Sequence, residues 1–354
     1  MTTQEFSVPD KKMGELKTQN GREVLFNASA NSAATGNDGL TGQLFNAGLG
    51  LPSDFNAESK GKIALIKRGG DLTFQVKVEN AVAAGVAGVI IYNHEDSPGP
   101  LSFNVSGDIK IPVGGITKSS GAALLTDVVA ENKTVTLNVK ELKNLTSSNI
   151  IATKAPEKGG SNEIMHVSAH YDSVPFSPGA NDNGTGTAAA LELARVFKDY
   201  KLDKELRFVF VGAEEIGLVG SKHYVDKLSA DEVKRSIANY NMDMVATAWD
   251  KATVLYTNTV DGKPNLVTTT ANEVAKLIKT PSTLFLFQRG SSDHVDFHRV
   301  GIPAANFIWR EPVTNNLEPY YHTPDDVLKY VSSAKLKEVA NIVGASVYSL
   351  IRKK

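Results

Sequence analysis

From Asn149 onward the chain alternates short strand-like runs, several of them nearly continuously apolar, with segments of helical period, and this alternation restricts the fold more than any other feature. The runs fall at 149–153, 164–169, 206–212, 240–244, 254–257, 284–287 and 304–309. A half-buried strand alternates polar with apolar residues, whereas an unbroken apolar run of this length fits a strand covered on both faces. Between and after the runs, Ala189, Leu193, Val196 and Phe197 share one helix face, and Leu336, Val339, Val343 and Val347 share another. The pattern predicts an α/β fold: a mainly parallel mixed sheet flanked by helices.

The part before Asn149 reads differently. Short strands are expected at 4–8 and 24–29, and the Gly/Asn-rich stretch 33–42 has the texture of a boundary. A strand at 62–66, a helix face of Phe74, Val78, Ala81 and Val82, and a second buried strand at 86–92 form a small α/β block that ends near 130–139. The expected organisation is therefore 1–35 as the N-terminal part of the main domain, 36–145 as an inserted smaller α/β domain, and 146–354 as the rest of the main domain.

Charge and cysteine content narrow the chemistry. Lys+Arg 38 against Asp+Glu 39 leaves a net charge of -1, without the broad basic footprint of a nucleic-acid or membrane-surface protein. Cys is 0, so a metal site must be built from His, Asp and Glu. No run reaches the roughly 18 apolar residues of a membrane span. The opening Met1 to Lys12 has no apolar signal core, which leaves either a cytoplasmic protein or an extracellular one whose leader is absent from the chain.

In open α/β sheets, ligand-binding groups collect at the carboxyl ends of the strands. Here those ends read A-H-Y-D-S (169–173), A-N-D-N-G-T-G (180–186), A-E-E (213–215) and N-M-D (241–243), with Y-Y-H-T-P-D-D (320–326) in a late loop. A pair of divalent ions about 3.5–4 Å apart requires one bridging carboxylate and further ligands on each side. His170, Asp182, Glu215, Asp243 and His322 supply that set. Asp182 is the expected bridge, with His170 and Asp243 on one ion and Glu215 and His322 on the other. Asp172 is expected to fix the His170 tautomer, and Glu214, beside a ligand but not needed as one, to act as general base. Each residue alone has a plainer reading: Glu214-Glu215 as a solvated turn, Asp182 as a helix N-cap, His170 as a satisfied buried histidine. Their joint occurrence at successive strand ends favours the metal site.

The order A-H-Y-D-S, A-N-D-N-G-T-G, A-E-E-I-G-L-V-G-S, N-M-D-M, S-S-D-H-V-D-F, Y-H-T-P-D-D resembles the secreted co-catalytic zinc aminopeptidases of leucyl type. The resemblance runs from about Asn149 to the end. It implies a zinc exopeptidase fold, two Zn2+ ions per chain on the five ligands above, Glu214 as base, Tyr321 as a hydrogen-bond donor to the oxyanion, and a cis bond between Asp182 and Asn183. It implies hydrolysis of the N-terminal residue of peptides that have a free amine, with a leaning towards apolar residues such as Leu. It also places His294 near the substrate cleft. Asp243 is expected to help hold the substrate amine. Arg289 reads either as a contact for a substrate carbonyl or carboxylate or as a surface ion pair. His94-Glu95 is followed by Ser97 and Pro98 and is not an H-E-x-x-H site.

The block G-K-I-A-L-I-K-R-G (61–69), F-Q-V-K-V-E-N-A-V-A-A-G-V-A-G-V-I-I-Y-N (74–93) and I-P-V-G-G-I (111–116) resembles a protease-associated (PA) domain, with Asp71 where many relatives have Cys. Such a domain restricts access to the cleft, binds a partner, or serves stability. Relatives usually carry helices ahead of the first strand, before the point where this chain opens. Alternatives are a PA-containing metallocarboxypeptidase, which carries a further helical dimerisation domain; a glutaminyl cyclase, which lacks the PA insert; and a non-catalytic receptor-like ectodomain, which would be expected to have broken ligands. The chain is expected to act as a monomer on peptides, without nucleic acid and without a membrane span.

Overall fold

The computed structural model describes residues 1–280 and 284–353. The chain forms two compact units: Met1–Val8 with Thr146–Lys354, and Pro9–Leu145. Strand β1 (Thr2–Ser7) belongs to the first unit. The second contains β2 (Lys11–Thr18), β3 (Glu23–Val24), β4 (Asn27–Ala28), β5 (Leu40–Asn46), β6 (Ile63–Lys67), α1 (Phe74–Ala83), β7 (Gly88–Tyr92), β8 (Val113–Ile116), α2 (Lys118–Leu124) and β9 (Thr134–Leu142). Its sheet runs β3-β2-β9-β5-β6-β7-β8-β4. The period of two along β6 sends Ile63 and Leu65 into one core and Ala64 and Ile66 into the other.

The expected boundary after residue 35 moves to residue 8. Strand β2 pairs antiparallel with β9 over its whole length, from Lys11↔Leu142 to Thr18↔Val135. The stretch 33–42 is not a linker either, because Thr35 donates its N–H to the Val139 carbonyl at 2.8 Å and Leu40 opens β5. The cause is composition: K-K-M-G-E-L-K-T buries only Leu16 and Thr18, so charges hide the strand from an apolar-run reading.

The first unit continues with β10 (Thr146–Lys154), β11 (Ile164–His170), α3 (Gly184–Phe197), β12 (Glu205–Val211), α4 (Val219–Asp226), α5 (Ala230–Arg235), β13 (Ser236–Met242), β14 (Val254–Thr259), α6 (Leu266–Leu277), β15 (Leu284–Gln288), α7 (His294–Arg299), β16 (Ala304–Arg310) and α8 (Ser333–Ile351). The sheet order is β1-β10-β12-β11-β13-β16-β14-β15. Strands β12, β11, β13 and β16 are mutually parallel, so their carboxyl ends share one edge. All seven predicted strands of this unit are present. One face packs Met165, Val167, Phe208 and Tyr240 with residues of α3, α6 and α8. The other packs Val209, Val211 and Ala304 with Tyr224 of α4 and Phe297 of α7. Helices α3 and α8 meet closely: a Cβ at Gly344 would lie 2.7 Å from Leu193 Cδ2, too near for any larger residue without movement.

At the amino ends of these strands, His166 is fully buried, with Nε2 2.8 Å from Ser236 Oγ and Nδ1 3.1 Å from Tyr224 Oη. Burial, aided by Arg207, pushes its pKa down to about 3. The folded ring is thus neutral where an unfolded one takes a proton, so its contribution to stability is complete above about pH 6.5 and is lost as pH falls towards 3. Between pH 7 and 5 this ring alone should remove about 2 kcal/mol of unfolding free energy. Urea unfolding of wild type and His166→Gln at both pH values checks this: the variant should lose correspondingly less on acidification.

Candidate active site

Four parallel strands deliver their ends to one edge, and the donors sit there. His170 closes β11 and is buried. Its Nδ1–H donates to the Asp172 carbonyl at 3.1 Å. That bond favours the tautomer whose Nε2 lone pair is free to bind a metal. Nε2 faces Asp182 Oδ1 at 3.3 Å and Asp243 Oδ1 at 3.5 Å. The second imidazole, His322, comes from the loop before α8; its Nε2 lies 3.2 Å from Asp182 Oδ2 and 2.9 Å from Glu215 Oε2. Asp182 therefore presents one oxygen to each imidazole. The structure brings all five expected ligands together and sets Glu214 among them: atoms of His170, Asp182 and Glu215 lie within 4.8 Å of one another, as do those of His170, Glu214 and Asp243. The Asp182–Asn183 peptide bond is cis.

One expectation changes. The Asp172 carboxylate stands 3.7 Å from His170 Nδ1, too far for a hydrogen bond. The backbone carbonyl of Asp172 orients the ring instead. Its carboxylate accepts the N–H of Glu214 at 3.1 Å and that of Glu215 at 3.2 Å, and so holds the chain that carries both acidic side chains. Ala213, just before them, has φ +60°, a left-handed conformation that the turn out of β12 imposes on a non-glycine residue.

The electrostatics show a site with more carboxylates than cationic partners. Burial disfavours a charged His170, but the carboxylates of Asp172, Asp182 and Asp243 outweigh it and hold the ring well above its ordinary value. His322 is raised to about 9 against burial by Asp182 and Glu215. Burial, reinforced by Asp293, Asp243 and Glu215, pushes Glu214 up to about 10. Buried Glu215 Oε1 and Asp243 Oδ1 have no hydrogen-bond partner. A nitrogen-and-carboxylate set with buried lone pairs aimed inward fits zinc, which takes three protein donors and an open position at catalytic centres.

Several supporting residues gave no signal in the sequence. Asp326 accepts the N–H groups of Asn181 at 2.7 Å and Asp182 at 3.0 Å. Asn183 bonds the Met242 carbonyl at 2.8 Å and the N–H of Met244 at 3.1 Å, tying the Asp182 loop to the end of β13. Glu318 accepts from Asn181 Nδ2 at 2.8 Å. Under the edge, Ser168 Oγ bonds Asn241 Oδ1 at 2.7 Å, and Asn241 Nδ2 reaches Ser292 Oγ at 2.8 Å and Asn306 Oδ1 at 3.1 Å. Asp293 is buried with both carboxylate oxygens unpartnered. Of the expected substrate contacts, His294 is buried and its Nε2 lies 2.9 Å from the Arg289 carbonyl. Half-buried Arg289 bonds Ser291 Oγ at 3.0 Å through Nε. Tyr321, partly exposed, stacks on His322 with ring centroids 3.7 Å apart. Because Asp326 supports the Asp182 loop through two backbone donors, Asp326→Ala should weaken zinc binding by about 10–100-fold, measured by chelator competition.

Fold and donor set together define the class of metallopeptidases with a histidine and carboxylate centre at the strand ends of an α/β sheet. Residues 149–347 match the model of peptidase family M28, and residues 28–124 match that of the PA domain. The chain belongs to peptidase family M28. It is 50% identical over 351 residues to Aminopeptidase YwaD of Bacillus subtilis (strain 168), covering 99% of this chain and 75% of that protein. It is 35% identical over 235 residues to Leucine aminopeptidase 2 of Arthroderma otae, covering 64% of this chain and 46% of that protein. Among solved structures, BSAP, a zinc aminopeptidase from Bacillus subtilis, superposes with a TM-score of 0.81 at 50% identity, covering 100% of this chain and 85% of that one.

Proposed function

We propose that the protein is a zinc aminopeptidase that hydrolyses the N-terminal residue of peptides, with two zinc ions per chain. The observation that carries this reading is Asp182, whose two carboxylate oxygens face two imidazoles at 3.3 and 3.2 Å. His170, Asp182 and Asp243 would hold one ion, and His322, Asp182 and Glu215 the other. Zinc at such a centre supplies Lewis-acid polarisation of a carbonyl and lowers the pKa of water. Glu214 takes the proton from the attacking water and returns it to the leaving amine. Tyr321 donates its O–H to the oxygen of the scissile carbonyl as negative charge develops there. Asp243 also helps hold the substrate amine, with Arg289 and His294 bordering the cleft. Asp172 acts on the reaction indirectly, by fixing the backbone of Glu214 and Glu215.

A buried cluster formed by Met244, Tyr256 and Ile308, with Phe287 and Leu317 packed against it, adjoins the end of β13 and supports a preference for apolar first residues such as Leu. Resemblance to secreted enzymes supports an extracellular location, and we take the protein to act as a monomer. No helix among the described residues is long and apolar enough to cross a membrane.

Metal analysis with hydrolysis of leucine p-nitroanilide and its N-acetyl form tests the reading. About two zinc per chain and cleavage of the free amine alone are expected; equal cleavage of the blocked substrate would rule out an aminopeptidase.

A further inference from the structure

Arg310 ends β16 and is 3% exposed. Its Nη1 donates to the Asn315 carbonyl at 2.9 Å, while Nε has no partner. No carboxylate of the described residues lies within 4.0 Å of the guanidinium. Burying a guanidinium without a counter-charge is unfavourable, and folded chains normally avoid it. The chain had carboxylates at hand: Glu311 follows directly, but it turns away to accept the N–H groups of Val313 and Thr314. Glu318 is engaged by Asn181 and Thr247.

The position of Arg310 points to a use. Strand β16 runs parallel to β13, so Arg310 at its carboxyl end lies on the edge where Asp243 follows β13. Asn315, whose carbonyl accepts from Arg310, also accepts the Tyr256 O–H at 2.7 Å. Asp243 is assigned above to the substrate amine. Side chains two apart on a strand share a face, so Arg310 continues the face of Ile308, the residue packed with Met244 and Tyr256. A fixed guanidinium is thereby held at the end of the apolar cluster, on the strand edge that carries the donors. Its Nε is a buried donor without an acceptor, and a carboxylate, which can accept from Nε and a neighbouring Nη together, would satisfy it.

We propose that Arg310 is a carboxylate-binding residue of the substrate cleft, selecting substrates or products that place a carboxylate within about one residue of the scissile carbonyl. The proposal rests on the aminopeptidase reading of the site. The carboxylate comes either from the side chain of an acidic first residue or from the main chain of a dipeptide or a released amino acid. Arg289, a second guanidinium, is half-buried and bonded to Ser291. The competing account makes Arg310 a staple for the 311–316 turn through Asn315; that role is blind to whether a ligand carries a carboxylate or an amide.

The test is a cycle of protein against ligand on zinc-loaded enzyme. Wild type and Arg310→Met are each given Leu-Gly and Leu-Gly amide, then glutamyl and glutaminyl p-nitroanilide. In wild type at least one carboxylate member should lead its amide partner by about tenfold or more in kcat/KM, and Arg310→Met should bring that ratio to about 1. Which pair responds identifies the source of the carboxylate. Zinc's own preference for a carboxylate cancels in the cycle. The same ratio in wild type and variant for both pairs overturns the proposal. If the variant does not fold, ratios near 1 for both pairs in wild type overturn it equally. Calorimetric binding of L-leucine against L-leucinamide to wild type and Arg310→Lys gives a readout independent of turnover: the lysine should lower the carboxylate advantage while retaining the charge. If leucine anilide is not cleaved at all, the aminopeptidase reading fails, and the calorimetric difference still decides on Arg310.

Discussion

Glu214→Gln should retain its zinc and lose almost all turnover. The change is isosteric, removes only the ability to accept a proton, and leaves the backbone N–H of residue 214 on the Asp172 carboxylate. Neither imidazole is paired with Glu214: the contacts of His170 Nε2 go to Asp182 and Asp243, and those of His322 Nε2 to Asp182 and Glu215. Metal content should therefore be unchanged. General-base catalysis is commonly worth 10²–10⁴-fold, so kcat for leucine p-nitroanilide should fall by about that factor while KM stays within a few-fold. Burial and acidic neighbours push Glu214 up; positive charge in the donor set acts the other way and favours the ionised form, which is the one that can accept a proton. Glu215→Gln separates the two neighbouring acids: it should lose metal, because it removes one of the two carboxylates that face His322. Activity within tenfold of wild type in Glu214→Gln, with zinc retained, would remove Glu214 as the base.

The donors were legible because each is a reactive side chain at the end of an apolar strand, where the α/β fold concentrates such groups. What supports them was hidden for a physical reason. Asp326 acts through two backbone N–H groups, and a carboxylate that binds backbone looks in sequence like any loop aspartate. Asp172 was recognised as a participant, but its bonding was not, since sequence proximity to His170 suggested a side-chain contact that the geometry assigns to the carbonyl. Arg310 lies just past the expected run 304–309, and nothing in the sequence marks it as buried, although the fold leaves it 3% exposed. The early strand β2 was obscured by its lysines, and with it the boundary at residue 8. In each case the missing information lies in tertiary partners far away in the chain.

Asp182→Ala should cost the protein both metal ions. No other side chain among the described residues contacts both imidazoles, at 3.3 Å from His170 and 3.2 Å from His322. Its removal leaves His170 with Asp243 and His322 with Glu215, two protein donors on each side where a catalytic zinc site uses three. The loop itself should persist, because Asp326 holds it through main-chain N–H groups that alanine retains, and Asn183 still ties it to β13. Loss of metal would then be a local effect of the missing carboxylate and not of a displaced loop. Two measurements separate these. Zinc content by mass spectrometry should fall from about two per chain to near zero, with activity at background. Added zinc should raise the melting temperature of wild type by mass action and leave that of the variant almost unmoved, while far-UV circular dichroism of the two metal-free proteins coincides. Retention of one tightly bound zinc would show that one of the two sites is complete without Asp182, and retention of both would end its assignment as the bridge.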